Sequence, residues 1–333
     1  MLEKLIESLK KQFGTDAVVT DIQFVKDVIP TGSIALDKAL GVNGYPLGRI
    51  VEIFGAESSG KSMMCLHAVA MTQKTNKGCV YIDAENSFDK EYAERLGINL
   101  EKEHFILIQP NSAEEALGII EISAQDQNVG LIVLDSVAAM VPTKEAFGAG
   151  EVGDSHVGLM ARLMTQWVRR ITPIMKNKSK CTIILVNQIR EQISSSPFVS
   201  THTPGGHALK HAASIRIKLA RKSTVKDGSR IGINVIAKVV KNKVAPPYEE
   251  AEFHIIGGEG IDATKELVDL LLGNKKIAKA GSWYKDLDGT AIGQGTSSVA
   301  TWINAHKNIV TELLKDEGLS DIYAGNIGNS QGS

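Results

Sequence analysis

Apolar positions near the start of the chain recur as Leu2, Leu5, Ile6, Leu9 and Phe13 among lysines and glutamates. This spacing lays one apolar stripe along a short helix, which Gly14 ends. The stripe needs a surface to cover, either the chain's own core or a neighbouring copy. From Arg49 the pattern changes to short β-rich runs, Ile50 to Phe54, Cys79 to Asp83, His104 to Gln109, Leu131 to Asp135 and Thr182 to Asn187, with helical stretches between them. Such alternation predicts an α/β fold on a mostly parallel sheet flanked by helices. Ile215 to Leu219 and Ile231 to Val240 flank Lys226-Asp227-Gly228-Ser229 and predict a hairpin added to that sheet. After about Gly260 the pieces are short, with Trp283, Tyr284 and Trp302 available to anchor a small C-terminal unit. Glu191 to Gly206 has no periodicity, is rich in Ser, Pro and Gly, and is longer than most connections, as functional loops often are.

The strongest chemical signal is Gly55-Ala56-Glu57-Ser58-Ser59-Gly60-Lys61-Ser62, which follows one strand run and opens the helical run Met63 to Thr72. It matches G-x-x-x-x-G-K-[ST], a phosphate-binding loop in which backbone N–H groups at a helix N-terminus surround phosphate oxygens. Lys61 would reach the β and γ phosphates of ATP, and Ser62 would ligate Mg²⁺. Leu131-Ile132-Val133-Leu134-Asp135 places a carboxylate at the end of a buried strand, the Walker B position for the same Mg²⁺. Asp83 or Glu85, at another strand end, would orient or deprotonate water while the other caps a helix. Gln188, just past a third strand, is placed to sense the γ-phosphate.

The 333 residues, 43% hydrophobic, suffice for one large core and a smaller second unit. Lys+Arg 37 against Asp+Glu 38 gives a net charge of -1, so nucleic acid would have to be attracted by local patches. Cys65, Cys79 and Cys181 form neither a disulfide framework nor a zinc ribbon. His202, His207 and His211 lack the partners of a zinc site. No apolar run is long enough to span a bilayer and no signal-peptide core opens the chain, so the expectation is a soluble, cytoplasmic protein with no membrane partner.

Several blocks, in order, resemble the RecA family of bacterial-type recombinases: Glu57-Ser58-Ser59-Gly60-Lys61-Ser62, Ile82-Asp83-Ala84-Glu85, Leu134-Asp135-Ser136-Val137-Ala138-Ala139, Gly153-Asp154-Ser155-His156, Asn187-Gln188-Ile189-Arg190, Gly205-Gly206 with Ala208-Leu209-Lys210, and Val239-Val240-Lys241-Asn242-Lys243. The likeness runs from about Lys11 to Trp302. It implies a RecA-like P-loop ATPase core over 31–260, an N-terminal helix and linker over 1–30 for subunit packing, a small α+β domain over 261–324, and a disordered tail over 325–333 without the acidic run of many members. It further implies a DNA-dependent ATPase forming a homo-oligomeric helical filament on single-stranded DNA and pairing it with double-stranded DNA.

By the resemblance, Glu85 activates the attacking water, Asp89 and Tyr92 hold adenine, and Gln188 couples the γ-phosphate to DNA-binding loops. Lys241 and Lys243 reach a neighbour's nucleotide. The loops are Glu145 to Val157, leading to a helix with Arg162 and Arg169, and Glu191 to Gly206, with Ser194, Ser195, Ser196, Phe198, Gly205 and Gly206. Seven residues apart on a helix, Arg162 and Arg169 share a face and can meet successive phosphates. The chain departs from the family pattern in a longer first loop, in Pro197 preceding a shifted Phe198, in His207 for Asn, and in Gly257 for a second adenine-stacking Tyr. Two other readings compete: a ring-forming helicase or clock-type ATPase on the same core, disfavoured by the N-terminal helix and the Lys241-Asn242-Lys243 block, and a nucleotide-bound scaffold acting on a self-cleaving repressor.

Overall fold

In a computed structural model, the structure describes residues 2–15, 18, 27–146, 158–177, 179–192, 200–202, 204–227, 230–320 and 323. Helix α1 (Glu3–Phe13) follows the apolar stripe and buries none of its residues. Strands β1 (Val28–Ile29) and β2 (Tyr45–Pro46) pair around α2 (Ile34–Leu40), whose first turn is capped by Ser33. The core then alternates as β3 (Ile50–Gly55), α3 (Lys61–Gln73), β4 (Gly78–Asp83), α4 (Lys90–Arg95), β5 (Phe105–Ile108), α5 (Ala113–Ser123) and β6 (Val129–Asp135). After α6 (Thr143–Ala146) come α7 (Leu159–Asn177), β7 (Thr182–Gln188), β8 (Arg190–Gln192), β9 (Ser200–His202) and α8 (Gly206–Ala212). Strands β10 (Ile215–Asp227), β11 (Arg230–Asn242), β12 (Glu250–Ile256) and β13 (Gly260–Ile261) complete the sheet. The chain continues through α9 (Ala263–Gly273), β14 (Ala278–Ala280), β15 (Trp283–Lys285), β16 (Ala291–Gln294), α10 (Gly295–Ala305) and α11 (Lys307–Asp316).

The nine strands lie in the order β13-β12-β11-β10-β3-β7-β6-β4-β5. From β10 to β5 every pairing is parallel, and the β10–β13 side is antiparallel. Both faces of β3, β4, β6 and β7 are covered, which is why these strands read as mostly apolar runs. One face packs Met64, Val69, Leu36 and the C-terminal Leu267, Val299 and Leu313; the other packs Ile120, Met164, Trp167, Ile171 and Leu209. The strands β3, β4, β6 and β7 therefore end side by side, at the edge where ligands meet open α/β sheets.

Two expectations change. Pairing in the hairpin continues through Lys226↔Ile231 and Asp227↔Arg230, so Lys226 and Asp227 belong to β10 and not to the turn. In the C-terminal unit, a three-stranded antiparallel sheet of β14, β15 and β16 with α10 and α11, Tyr284 is buried but Trp283 is 51% exposed and Trp302 only half-buried, stacked on His306 at 4.3 Å. Alternation along β15 turns adjacent residues to opposite faces, and only one face meets the core. Ser194, Ser195, Ser196, Phe198, residues 147–157 and the 325–333 tail lie outside the described residues.

Candidate nucleotide site

The loop between β3 and α3 supplies the phosphate cradle. Gly60 caps α3 at φ +93°, a backbone conformation that favours glycine, and a Cβ there would lie 2.7 Å from Ile255 Cδ1, the end of a side chain that would have to shift. Ser59 Oγ donates to the Ala56 carbonyl (2.8 Å), and Lys61 Nζ donates to the carbonyls of Ala56 (2.7 Å) and Gly55 (3.3 Å). A cavity of about 260 Å³ opens at this helix N-terminus, lined by Glu57, Ser58, Gly60, Lys61, Ser62, Met63, Glu85, Asp135 and Gln188. Burial lowers the Lys61 ammonium pKa, opposed by the nearby Asp135, Glu85 and Glu57 carboxylates. The site is thus a cation and a ring of N–H donors facing carboxylates, suited to a phosphate chain with a cation beside it.

Asp135 is buried at the end of β6. Desolvation pushes its carboxyl above the usual range, while hydrogen bonds from Ser62 and from the Tyr81 hydroxyl (2.8 Å to Oδ2) pull it back. The two strand-end carboxylates of β4 separate clearly. Asp83 accepts from the Ser87 and Phe88 N–H groups (3.1 and 3.0 Å), so it ties down the turn after the strand. Glu85 faces the cavity, where Ser136 Oγ (2.5 Å) and Gln188 Nε2 (3.1 Å) both donate to its Oε1. Strand register brings these groups together from β4, β6 and β7.

Tyr92 sits beside this cavity, and Asp89 precedes it at the start of α4. Asp89 caps α4 by accepting from Tyr92 N–H (2.9 Å), and the Tyr92 hydroxyl donates to Met63 Sδ (2.8 Å) on the cavity wall. Lys241 and Lys243 lie elsewhere. Lys241 Nζ donates to the Lys210 (2.5 Å) and His211 (3.0 Å) carbonyls, and Lys243 Nζ to that of His211 (2.9 Å), so both cap the C-terminus of α8. Burial and the adjacent Lys243 and Arg216 hold the Lys241 pKa down at about 8.

The candidate DNA residues converge in part. Arg162 and Arg169 are exposed on α7, whose other face buries Met164, Trp167 and Ile171. Gly206, at φ +73°, packs on that helix, where a Cβ would lie 3.0 Å from Ala161, and Gly205 is buried beside Met164. The end of the second segment therefore meets the start of the helix that follows the first. Reading the sequence missed Tyr81, Ser136 and Met63. A tyrosine inside an apolar strand was the one available hint, since a buried hydroxyl needs a partner.

The family profile for the RecA N-terminal domain matches residues 1–262. The protein RecA of Streptomyces coelicolor is 44% identical over 318 residues, covering 94% of this chain and 83% of that one. The chain belongs to the RecA family. The protein RecA of Lactiplantibacillus plantarum is likewise 44% identical, over 316 residues, with 94% of this chain and 82% of that one covered. A crystal structure of the RadB recombinase shares the fold, with a TM-score of 0.52 at 23% identity over 70% of this chain and 98% of that one. Membership gives the chain a recombinase's role in homologous recombination and repair. Among the described residues no helix is long and apolar enough to cross a membrane.

Proposed function

We propose that this RecA-family chain hydrolyses ATP in response to single-stranded DNA, assembles on it as a filament and exchanges strands with duplex DNA. The observation that carries the reading is the Gln188–Glu85 hydrogen bond inside the phosphate cavity, because Gln188 ends β7 and leads directly into the second candidate DNA segment. Lys61 exchanges the Ala56 and Gly55 carbonyls for phosphate oxygens when ATP enters. Gln188 and Ser136 use Glu85 Oε1, which leaves Oε2 to take a proton from water as the water oxygen attacks the γ-phosphorus and the bond to the ADP oxygen breaks. Asp89 and Tyr92 bound the adenine side.

The oxygen donors Ser62 and Asp135, which share a hydrogen bond, fit Mg²⁺, an ion that keeps several waters and phosphate oxygens. Mg²⁺, when bound, neutralises charge on the phosphates.

In the filament, the exposed Leu2, Leu5 and Phe13 of α1 dock on another copy, and edge strand β5 with exposed Ile106 and Leu107 is the receptor. Lys241 and Lys243, which do not line their own cavity, then serve the neighbour's nucleotide. Arg162 and Arg169, exposed on α7, meet DNA phosphates, and Ser194, Ser195, Ser196, Phe198, Gly205 and Gly206 belong to the second DNA segment. The division into residues 1–30, 31–260 and 261–324 belongs to this reading; repressor cleavage does not.

The test is ATP hydrolysis with and without single-stranded DNA at low salt. DNA should stimulate it strongly, Glu85→Gln should abolish the stimulated rate, and Arg162→Ala should shift the response to higher DNA concentration. A rate indifferent to DNA refutes the reading.

A further inference from the structure

Asn187 and Glu52 are buried polar residues in the middle of the parallel sheet, next to the cavity but outside its lining. Glu52 lies on β3, three residues before that strand gives way to the phosphate loop at Gly55. A buried carboxylate persists only when paired and hydrogen-bonded. Arg216 Nε of β10, directly across in register, donates to Glu52 Oε2 (2.5 Å), and its guanidinium lies 4.6 Å from the Phe54 ring centre. Glu52 is thereby fixed from β10.

An asparagine amide has two N–H donors and one acceptor oxygen. Asn187 commits all of them. Its Nδ2 donates to Glu52 Oε1 (3.0 Å) and to the carbonyl of Pro204 (2.9 Å), and its Oδ1 accepts from the backbone N–H of Gln188 (3.0 Å). Pro204 is seventeen positions further along the chain and immediately precedes Gly205-Gly206, the pair packed on α7. Gln188 in turn holds Glu85 in the cavity. Movement of Gln188 toward a bound phosphate therefore pulls on the amide that holds the far end of the Glu191 to Gly206 segment, while Glu52 keeps the pivot still.

We infer that Asn187 is a positioning residue that converts nucleotide occupancy sensed at Gln188 into the placement of Pro204-Gly205-Gly206. Both the sensing at Gln188 and the DNA consequence rest on the function proposed above. A purely structural role would cost stability but leave the response to nucleotide intact.

The experiment follows amide hydrogen exchange of the 204–213 peptide in the full chain, with and without ATPγS and Mg²⁺. The wild-type protein should change its exchange by roughly threefold or more when the nucleotide binds. Asn187→Ala should bind a fluorescent ATP analogue like the wild type yet show the same exchange in both states. Should Asn187→Ala melt below the assay temperature, Asn187→Ser, which keeps one donor, is read in its place. A nucleotide-dependent change retained in the variant overturns the inference, as does a wild-type protein whose peptide does not respond. Single-stranded DNA affinity is measured alongside. If exchange behaves as expected while wild-type DNA affinity ignores ATPγS, the latch stands and the DNA reading fails.

Discussion

Replacing Tyr81 with Phe removes one hydroxyl and little else. The ring packs against Phe88 and Phe105, with centroids 5.3 and 6.3 Å away, and a phenylalanine keeps both contacts. The lost bond is the 2.8 Å donation to Asp135 Oδ2. Hydrogen bonds to charged groups contribute about 1.5–3 kcal/mol. At about 1.4 kcal/mol per pKa unit, that corresponds to roughly one to two units. The Ser62 bond remains, so the lower figure is expected. The sign follows from the work of Asp135, which must be ionised to hold Mg²⁺. Burial already raises its pKa, and loss of a donor to the ionised form raises it further. The acid limb of the kcat/KM profile for ATP hydrolysis should therefore move up by about one pH unit. The Mg²⁺ concentration for half-maximal rate at neutral pH should rise on the order of tenfold. Thermal unfolding is the control for packing. An acid limb that stays within about 0.3 unit of wild type, with an unchanged Mg²⁺ titration, would refute the argument that Tyr81 tunes the metal ligand.

Burial pushes the Asp37 carboxyl up to about 8 and that of Glu266 up to about 7. Both folded values exceed the unfolded ones near 4, so their stabilising contribution is complete below about pH 4 and lost as pH rises toward 8. Asp37→Asn should flatten this fall: its Tm relative to wild type should be on the order of 5 °C more favourable at pH 8.5 than at pH 5, and parallel Tm curves would count against it. Gly60→Ala forces a left-handed residue worth about 1–2 kcal/mol of strain into the phosphate loop, besides the overlap with Ile255, and should weaken binding of a fluorescent ATP analogue at least tenfold or so. Ile106→Glu places a charge on the exposed edge strand β5 and should leave nucleotide binding intact while sedimentation shows loss of large assemblies; filaments as long as those of the wild type would remove β5 from the interface.

The phosphate loop is legible in sequence because its chemistry is local. Eight consecutive residues supply the backbone donors, the glycine conformation at Gly60 and the Lys61 cation, so the pattern needs no tertiary partner to be recognised. The strands are legible for a similar reason, since a strand covered on both faces is apolar at most positions. The groups that tune the cavity are different. Tyr81 and Asp135 are 54 positions apart, as Ser136 and Glu85 are 51 apart, and they meet only because β4 and β6 pair with Asp83 opposite Asp135. In that register Tyr81, Val133 and Asp135 fall on one face of the sheet, whereas Val80 and Ile82 fall on the other. Strand register cannot be read from a single run of apolar residues, and a slip of one position would turn Tyr81 away. Position at the strand end alone leaves Asp83 and Glu85 open and the family resemblance favours Glu85; the turn that Asp83 closes shows physically which carboxylate is committed elsewhere. Trp283 shows the opposite failure. Its size suggests an anchor, but on the outer face of a three-stranded sheet it stays 51% exposed among the described residues. Asn187 lies between these cases. Its type at the end of an apolar strand shows that a polar group is buried there and needs partners, but Glu52, Pro204 and Gln188 become those partners only once β3 and β7 lie side by side. The local motif specifies what the cavity binds, and the cross-strand contacts determine what binding can move.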